Sequence, residues 1–170
     1  MKVKLRKFRM SDLERLFELF ANDHVLINLA TSMKAKGVTL KDEKEWLKKV
    51  RIDYTKKKPE EYALAITANG ELVGGISAHH VDYSDNKTEM GYWIGEPYWG
   101  RGYATSAVRD FTEKLFKKFK FKRIEAFPFS HNEASARVLE KVGFKFEGKR
   151  KKAVKKGKKY LDDMVWAKVK

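Results

Sequence analysis

The 170-residue chain is 42% hydrophobic and 13% aromatic, which is enough apolar material for one folded domain and argues against disorder. No apolar run approaches the ~18 residues of a membrane span, and because the first residues lack the apolar region of a secretory signal, we expect no secretion. The chain has no cysteine, which excludes disulfides and thiolate chemistry, so we expect a cytoplasmic protein without membrane contact.

The N-terminal third has two candidate helices behind a first strand. Alternating apolar residues predict the strand over residues 2–8. Residues 11–14 have the spacing of a capping box, and the helix behind it has an apolar face at Leu13, Leu16, Phe17 and Phe20. Residues 24–37 indicate a short helix and a loop. Thr39 is expected to cap a second long helix that ends before Pro59, with one face formed by Leu40, Leu47, Val50 and Tyr54.

After Pro59 the apolar residues alternate, which is typical of strands. Residues 62–67, 72–83 and 88–94 predict an antiparallel meander, with turns at Asn69-Gly70 and Asp85-Asn86. A helix over 103–119 and a strand over 122–129 imply a parallel pairing. A last helix over 133–142 is capped by 130–133 and ended by Gly143. Residues 144–152 and 159–169 predict a hairpin with a basic tip.

This order of elements predicts an α/β fold in a single domain over residues 1–170. The fold has a mixed, mostly antiparallel sheet of about seven strands, with about four helices distributed over both faces. A ligand is expected where the meander becomes parallel, at the C-terminal end of the strand over residues 88–94.

Two glycines separate the end of that strand from the start of the next helix. At Gly100 and Gly102 the backbone can approach a ligand closely, and the first N–H groups of the helix are free to bind an anion. Arg101 between them can add positive charge. These residues predict a phosphate cradle, although a tight turn also requires glycine. The spacing fits neither a dinucleotide fingerprint nor a P-loop.

Residues 99–104 (WGRGYA) resemble the acetyl-CoA loop of the GNAT acyltransferase superfamily. Residues 132–135 (NEAS) and 138–144 (VLEKVGF) resemble that superfamily's later helix, and the element order is similar over essentially the whole chain. Within the superfamily, the segment before the loop is similar to the Rim-type ribosomal-protein N-terminal acetyltransferases. Spermidine and aminoglycoside acetyltransferases share much of this pattern.

The resemblance implies a cofactor site made largely of backbone. The N–H groups of the loop would hold the CoA pyrophosphate, and they belong to Gly100, Arg101, Gly102, Tyr103, Ala104 and Thr105. The strand would pair with the pantetheine arm through Tyr92, Trp93 and Ile94. The acetyl carbonyl would lie at a bulge in this strand, polarised by an N–H such as that of Ile94. Asn132 would bind the pantetheine amides, cap its helix, or do both.

The sequence departs from the superfamily pattern at two positions. Trp99 replaces the usual Gln or Arg that begins the loop, and Leu139 replaces a tyrosine that protonates the leaving thiolate. The resemblance to Rim-type enzymes therefore implies that Ser135, one helical turn earlier, serves the thiolate. The alternative for Ser135 is a small packing residue. Tyr92, Trp93 and Tyr103 are expected to shape the slot rather than to take part in the chemistry.

Glu89 is the candidate general base that accepts a proton from the amine. In a partly buried cleft we expect its pKa to be raised, and the alternative is a cross-strand ion pair with a lysine. His79 and His80 are adjacent in a strand and should point to opposite faces, so we expect no metal site there. One of them could line the substrate groove. His24 and His131 are interpreted as surface or cap residues.

The formal net charge of +15 favours anionic partners, although a lysine-rich surface that serves solubility explains it equally. Residues 145–159 contain nine Lys/Arg and one acid. This hairpin could contact RNA nonspecifically, protect a sheet edge from aggregation, or bind the 3′-phosphate of CoA. The aggregation guard is slightly favoured, and sequence-specific readout of nucleic acid is not expected.

These observations together predict an acetyl-CoA-dependent N-acetyltransferase that works by direct transfer, without a metal, as a monomer or homodimer. The resemblance implies a protein N-terminal amine as acceptor, in a groove framed by residues 24–58 and the terminal hairpin. Polyamine or aminoglycoside acetylation is the enzymatic alternative. The positive charge disfavours it unless acids around Asp42, Glu43 and Glu45 form a patch. An inactive CoA-fold module that docks on RNA or the ribosome is the other alternative.

Overall fold

A computed structural model describes residues 3–29 and 38–170. Seven strands form one sheet, and they are β1 (Lys4–Arg6), β2 (Tyr62–Ala68), β3 (Glu71–Asp82), β4 (Lys87–Ile94), β5 (Arg123–Ala126), β6 (Lys145–Lys156) and β7 (Lys159–Val169). Their order across the sheet is β1-β2-β3-β4-β5-β7-β6. Only the β4–β5 pairing is parallel. The predicted fold class, with its mixed and mostly antiparallel sheet, is confirmed.

Five helices accompany the sheet: α1 (Leu13–Phe20), α2 (Asp23–Leu26), α3 (Leu40–Asp53), α4 (Tyr103–Phe119) and α5 (Glu133–Val142). The predicted number was about four. The fifth is the single turn α2, which is stabilised because the Asn22 side chain accepts hydrogen bonds from the N–H groups of His24 and Val25. Within the described residues, no helix combines the length and apolar character needed to cross a bilayer.

The two faces of β2 show how the sheet is covered. Leu64 and Ile66 are buried in the cluster that contains Phe111 of α4. Ala63 and Ala65, on the opposite face, are buried with Leu47 of α3 and Leu16 of α1. Helices therefore pack on both faces, as predicted. Each large apolar side chain buried in this way stabilises the fold by about 1.5–3 kcal/mol.

The start of α1 differs from the prediction. Ser11 does not cap it. Instead, the Asp12 carboxylate accepts a hydrogen bond from the backbone N–H of Arg9 at 2.8 Å, and it pairs with both terminal nitrogens of Arg6 at 2.7 and 2.8 Å. Asp12 is preferred because one carboxylate can bind the short helical turn 10–12 and an arginine of β1 together.

The start of α3 follows the prediction in its cap but not in its buried face. Thr39 and Asp42 form the reciprocal hydrogen bonds of a capping box, as expected. Leu40, however, is 44% exposed, and Glu43 is the buried residue of the first turn. The apolar face therefore begins only at Leu47. The predicted helix and loop over 24–37 are described only as far as residue 29, and the remainder lies outside the described residues.

Strand lengths were predicted less well than strand positions. β5 ends at Ala126 rather than at residue 129, and Phe129 makes only an isolated bridge to Asp163. β6 continues beyond residue 152 to Lys156, because it stays paired with β7 up to the tip. Asn69 and Gly70 both have positive φ, 52° and 87°, as the predicted tight turn requires.

Candidate active site

The sheet opens between β4 and β5. These strands pair only at Lys87 with Arg123, Thr88 with Ile124 and Glu89 with Glu125. β4 then continues along β3 to Ile94, whereas β5 ends at Ala126. Among the described strands, none pairs with the β5-facing side of β4 over residues 90–94. The sheet therefore has an open strand edge in its interior.

The backbone groups of this open edge can be assigned from the pairing with β3. The N–H of Gly95 donates to the carbonyl of Val73 at 2.9 Å, at the end of a regular antiparallel ladder. Since hydrogen-bonding groups alternate along such a strand, the N–H groups of Tyr92 and Ile94 point away from β3, towards the gap. The expected edge for an extended ligand is present, with an N–H of Ile94 at its end.

The predicted bulge in β4 is absent. The β3–β4 register is regular from Gly74–Ile94 to His79–Glu89, and the irregularity lies beyond it in β3, between His79 and Asp82. His80 adopts a left-handed conformation there, with φ of 46°. An additional residue on β3 opposite Thr88 causes the shift, so β3 and not β4 is the bulged strand.

The glycine loop leads directly into α4. Gly100 and Gly102 both have φ of 74°, and a Cβ at either position would meet no other atom within 4 Å. The first intrahelical bond runs from Ser106 N–H to the Gly102 carbonyl. The N–H groups of Ala104 and Thr105, in the first turn before this bond, therefore have no carbonyl one turn earlier to bind, which leaves them for an anion.

Two side chains around the loop bind backbone carbonyls. Arg101 donates to the carbonyl of Pro97 at 3.1 Å and lies over the ring of Tyr98. Trp99, the departure from the superfamily pattern, donates its indole N–H to the carbonyl of Ile94 at 2.6 Å. This contact ties the loop to the last residue of the open edge. The pattern of residue types did not indicate it.

On the α5 side of the sheet, two hydroxyls meet. The Tyr92 hydroxyl lies 2.7 Å from the Ser135 hydroxyl oxygen and 3.2 Å from the Ser135 carbonyl. Burial raises the pKa of Tyr92, and the hydrogen bond with Ser135 only partly offsets this, so Tyr92 stays protonated at neutral pH. The Asn132 side-chain oxygen accepts from Ser135 N–H at 3.1 Å, which is the capping role.

On the opposite face, Glu89 is held by two histidines. Its carboxylate oxygens lie 3.2 Å from His79 Nε2 and 2.9 Å from His80 Nδ1. The expectation that these histidines point to opposite faces is wrong, because the left-handed His80 breaks the alternation. Burial raises the pKa of Glu89, but the two hydrogen bonds outweigh it, so its pKa is lowered rather than raised as expected. The predicted cross-strand partner, lysine, is histidine instead.

A profile of the family described as "Acetyltransferase (GNAT) domain" matches residues 2–145 of the chain. The chain belongs to the GNAT acetyltransferase family. It is accordingly an enzyme of the class that transfers acetyl from acetyl-CoA to amines. Among curated proteins it is 37% identical over 81 residues to YdaF of Bacillus subtilis (strain 168), which carries the name of a ribosomal N-acetyltransferase. That match covers 48% of this chain and only 44% of YdaF.

Solved GNAT structures superpose over the whole described fold. A GNAT-family acetyltransferase from Bacillus anthracis has a TM-score of 0.80 at 26% identity, covering 99% of this chain and 95% of that one. RimL, a ribosomal L7/L12 α-N-protein acetyltransferase in complex with CoA, has a TM-score of 0.88 at 18% identity, with 99% and 94% coverage. Spermidine N-acetyltransferase from Vibrio cholerae, in complex with CoA and spermine, has a TM-score of 0.85 at 17% identity, covering 99% of this chain and 95% of that one. At these last two identities the likeness shows the fold alone.

The GNAT fold thus brings most predicted site residues to one place, around the open edge of β4. Leu139 is fully buried, so the position of the usual tyrosine is part of the core. Besides the Trp99 contact, two contacts were missed by sequence reasoning: the Tyr92 hydroxyl at Ser135, and the convergence of His79 with His80. A tyrosine two residues before a strand end and a pair of adjacent histidines were the only signals available.

Proposed function

We propose that this GNAT enzyme transfers the acetyl group of acetyl-CoA directly to the N-terminal amine of a protein, without an acyl-enzyme intermediate. One observation carries the proposal. The open edge of β4 has an ionised carboxylate, Glu89, on one face and a hydroxyl pair, Tyr92 and Ser135, on the other. An amine and a leaving thiolate require these two kinds of group on opposite sides of a thioester. The proposal includes a single domain and a cytoplasmic location.

Acetyl-CoA binding is assigned to the backbone of the gap and the loop. The pantetheine arm would pair as an added strand with the open edge over Tyr92, Trp93 and Ile94, through the N–H and C=O of Tyr92 and the N–H of Ile94, because the Ile94 carbonyl already accepts from Trp99. The pyrophosphate would be bound by N–H groups of the loop over 100–105, at the positive end of α4. The N–H of Ile94 would then polarise the acetyl carbonyl. Asn132 already caps α5, so its remaining amide nitrogen is the group proposed for a pantetheine amide.

Glu89 is the proposed general base. The amine nitrogen attacks the carbonyl carbon, and as this bond forms the nitrogen becomes acidic enough to give its proton to a carboxylate. A lowered pKa keeps Glu89 ionised at neutral pH, when it must accept that proton. The C–S bond then breaks, and the electron pair leaves with the sulfur.

Ser135 and Tyr92 are proposed to supply the proton that the leaving thiolate needs. Ser135 would donate its hydroxyl proton to sulfur and be reprotonated by Tyr92 along their 2.7 Å hydrogen bond, and Tyr92 would regain a proton from solvent while Glu89 releases the amine proton to solvent. Tyr92 of β4 would in this way replace the tyrosine that is usual in α5, where this chain has the buried Leu139. Ser135 is at the start of α5, held there by Asn132.

Two further acidic side chains on the side of the sheet proposed for the acceptor are paired with arginines, and this favours an acceptor with a single amine over a polycation. Glu125 is paired with Arg123 at 2.8 Å. Asp163 is paired with Arg150 at 2.6 Å.

The acids of α3, which would favour a polyamine if they formed a free patch, are engaged in contacts of their own helix or buried. Asp42 caps the helix, Glu45 pairs with Lys48, and Glu43 is buried, which raises its pKa to about 7. A polyamine requires several free carboxylates, whereas an N-terminal amine requires one. The name of YdaF agrees with a protein acceptor.

The test is an acceptor panel read by mass spectrometry of the products. It compares peptides with a free N-terminus, the same peptides with a blocked N-terminus and an internal lysine, and spermidine. We expect kcat/KM for free N-termini to exceed that of the other two by at least about tenfold, or about 1.4 kcal/mol. A preference for spermidine would overturn the acceptor. Tight acetyl-CoA binding without any turnover would favour the inactive module instead.

A further inference from the structure

The bulge in β3 brings together three metal-ligating side chains that a regular strand would separate. One ring nitrogen of His79, one ring nitrogen of His80 and one carboxylate oxygen of Glu89 all lie within 4.8 Å of one another. Two histidines and one carboxylate form a common ligand set for divalent transition metals. Because left-handed backbone is unfavourable for histidine, by about 1–2 kcal/mol, this arrangement is maintained at a cost.

We propose that His79, His80 and Glu89 form a zinc-binding site, and that Zn²⁺ bound there inhibits the enzyme by occupying the general base. The inhibition rests on the proposed role of Glu89, whereas metal binding does not. The ion would replace the two hydrogen bonds to the carboxylate, and each ring hydrogen now shared there would move, by exchange with solvent, to the other nitrogen of the same imidazole. Water would complete the coordination.

The geometry requires only small movements. Ligand atoms around tetrahedral zinc are roughly 3.3 Å apart, since each lies about 2.0–2.2 Å from the ion. Glu89 is already 3.2 and 2.9 Å from the two ring nitrogens. The His80 side chain is 78% exposed, so it can rotate inward and an ion can enter from solvent.

The surroundings support a metal ligand role for His79 in particular. Its second ring nitrogen, Nδ1, lies 3.4 Å from the Ser77 hydroxyl, which can accept the Nδ1 hydrogen and leave Nε2 free for the ion. Gly91, opposite on β4, provides the space for this ring, because a Cβ there would lie 3.2 Å from His79 Cε1. Arg150, the nearby cation, is neutralised by Asp163 at 2.8 and 2.6 Å.

Metal binding is tested on the full chain without an affinity tag, after treatment with EDTA. Isothermal titration with Zn²⁺, and Co²⁺ titration followed by visible absorption, report binding without acetyl-CoA or peptide. We expect one site, with an affinity at least about tenfold lower in His80→Asn and in Glu89→Gln. His131→Asn is the matched control, because His131 is exposed and lies outside the cluster. Equal zinc affinity in wild type and His79→Asn/His80→Asn would overturn the site.

Inhibition is tested separately by mass-spectrometric detection of acetylated peptide, because zinc also binds the thiol of CoA. We expect Zn²⁺ to inhibit the wild type in competition with the acceptor, EDTA to restore activity, and His80→Asn to require at least about tenfold more zinc. Zinc that binds at this cluster without inhibiting would overturn the inhibitory role. This result would also show that the reaction does not need Glu89 as a free base. The acceptor would still be tested independently, by the comparison of peptides with spermidine.

Discussion

The two halves of the proposed site use different kinds of chemical group, backbone groups in one and side chains in the other. The donor half comprises the open edge of β4 over 90–94, the loop over 99–105 and the start of α5. Its contacts are mostly backbone groups, set by strand direction, two left-handed glycines and a helix N-terminus. The proposed acceptor half comprises Glu89, His79 and His80, and we assign to it α2 and the hairpin tip of β6–β7, which contact each other through Lys156. Its contacts are made mostly by side chains, from the neighbouring strands β3 and β4 and, at Lys156, between the hairpin tip and α2.

This difference explains why one half is recognisable from sequence and the other is not. A backbone site requires glycine and a capping residue at fixed spacing, so it leaves a motif. A side-chain site can be assembled by any residues that the fold brings together, and here a bulge decides which ones. The donor is therefore identified by family, whereas the acceptor must be argued from charges and contacts.

The largest expected effect is on the donor half, from Gly102→Glu. A side chain and a negative charge would enter the anion cradle, and residue 102 has φ of 74°. We expect the Kd for acetyl-CoA, measured by calorimetry, to rise at least about 100-fold, or about 2.7 kcal/mol. Gly70→Glu is the matched control, because Gly70 also has positive φ and open space but lies in the β2–β3 turn. Unchanged CoA affinity in Gly102→Glu would show that the loop is not the cradle.

Glu89→Gln should impair the acceptor half and leave the donor half intact, because it removes the proposed base without changing a residue of the donor half. We expect kcat to fall by about 10²–10³ with the acetyl-CoA Kd retained. Since the pKa of Glu89 is lowered, its carboxylate stays ionised between pH 6 and 8. Replacing Glu89 should therefore not remove a rising limb of the pH–rate profile in that range. A limb in that range belongs to the acceptor amine, which has a pKa of about 7.7–8.0.

The control for this substitution is Glu125→Gln, since Glu125 is the register partner of Glu89 on β5 and pairs with Arg123. An equal fall in kcat for both variants would mean that general charge, and not a positioned base, supports the rate. Loss of the limb only in Glu89→Gln would contradict the lowered pKa.

The features that could be predicted from the sequence lie mostly where local chemistry decides the structure, as it does in the donor half. Seven strands, the Asn69-Gly70 turn, the Thr39 cap and the glycine loop were predictable because local chemistry decides each of them. The bulge at His80, and with it the lowered pKa of Glu89, was not, because a left-handed histidine has no local signature. The buried position predicted for Leu40 and the capping role predicted for Ser11 came from local patterns. In the structure Glu43 is the buried residue, and Asp12 makes the contacts at the start of α1 because it also pairs with Arg6.

A smaller effect is expected from the hydroxyl pair that links the halves across β4. Tyr92→Phe and Ser135→Ala should each lower kcat by about 10- to 100-fold. The double variant should be no slower than the slower single variant, because the two hydroxyls act in series. Rapid-quench measurement of the transfer step gives all three rates.

Tyr83→Phe is the matched control for Tyr92→Phe, since its hydroxyl binds the Pro59 carbonyl at 2.8 Å and lies outside both halves. Fully additive losses in the double variant would mean that Tyr92 and Ser135 do not form one proton path. Thermal denaturation of each variant would show whether lost packing accounts for the rates.

The smallest effect is expected within the acceptor half, at Lys156. Its ammonium donates to the carbonyls of Leu26, Ile27 and Leu29 at 2.5, 3.0 and 3.3 Å, and so joins the hairpin tip to the end of α2. Lys156→Met should raise the peptide KM by about three- to tenfold, or about 0.7–1.4 kcal/mol, with acetyl-CoA affinity unchanged. Lys158→Met, at the same tip, is the control. An equal effect of both would point to the charge of the tip rather than to this contact.

We propose that acetyl-CoA adds to the open edge of β4 beside the glycine loop. Hydrogen exchange, read by mass spectrometry with and without acetyl-CoA at saturating concentration, tests it most directly. Peptides that cover residues 90–94 and 100–106 should become protected when the ligand binds, while those at the β6–β7 tip should keep their exchange rates. Binding confirmed by calorimetry without added protection of 90–94 would contradict the account.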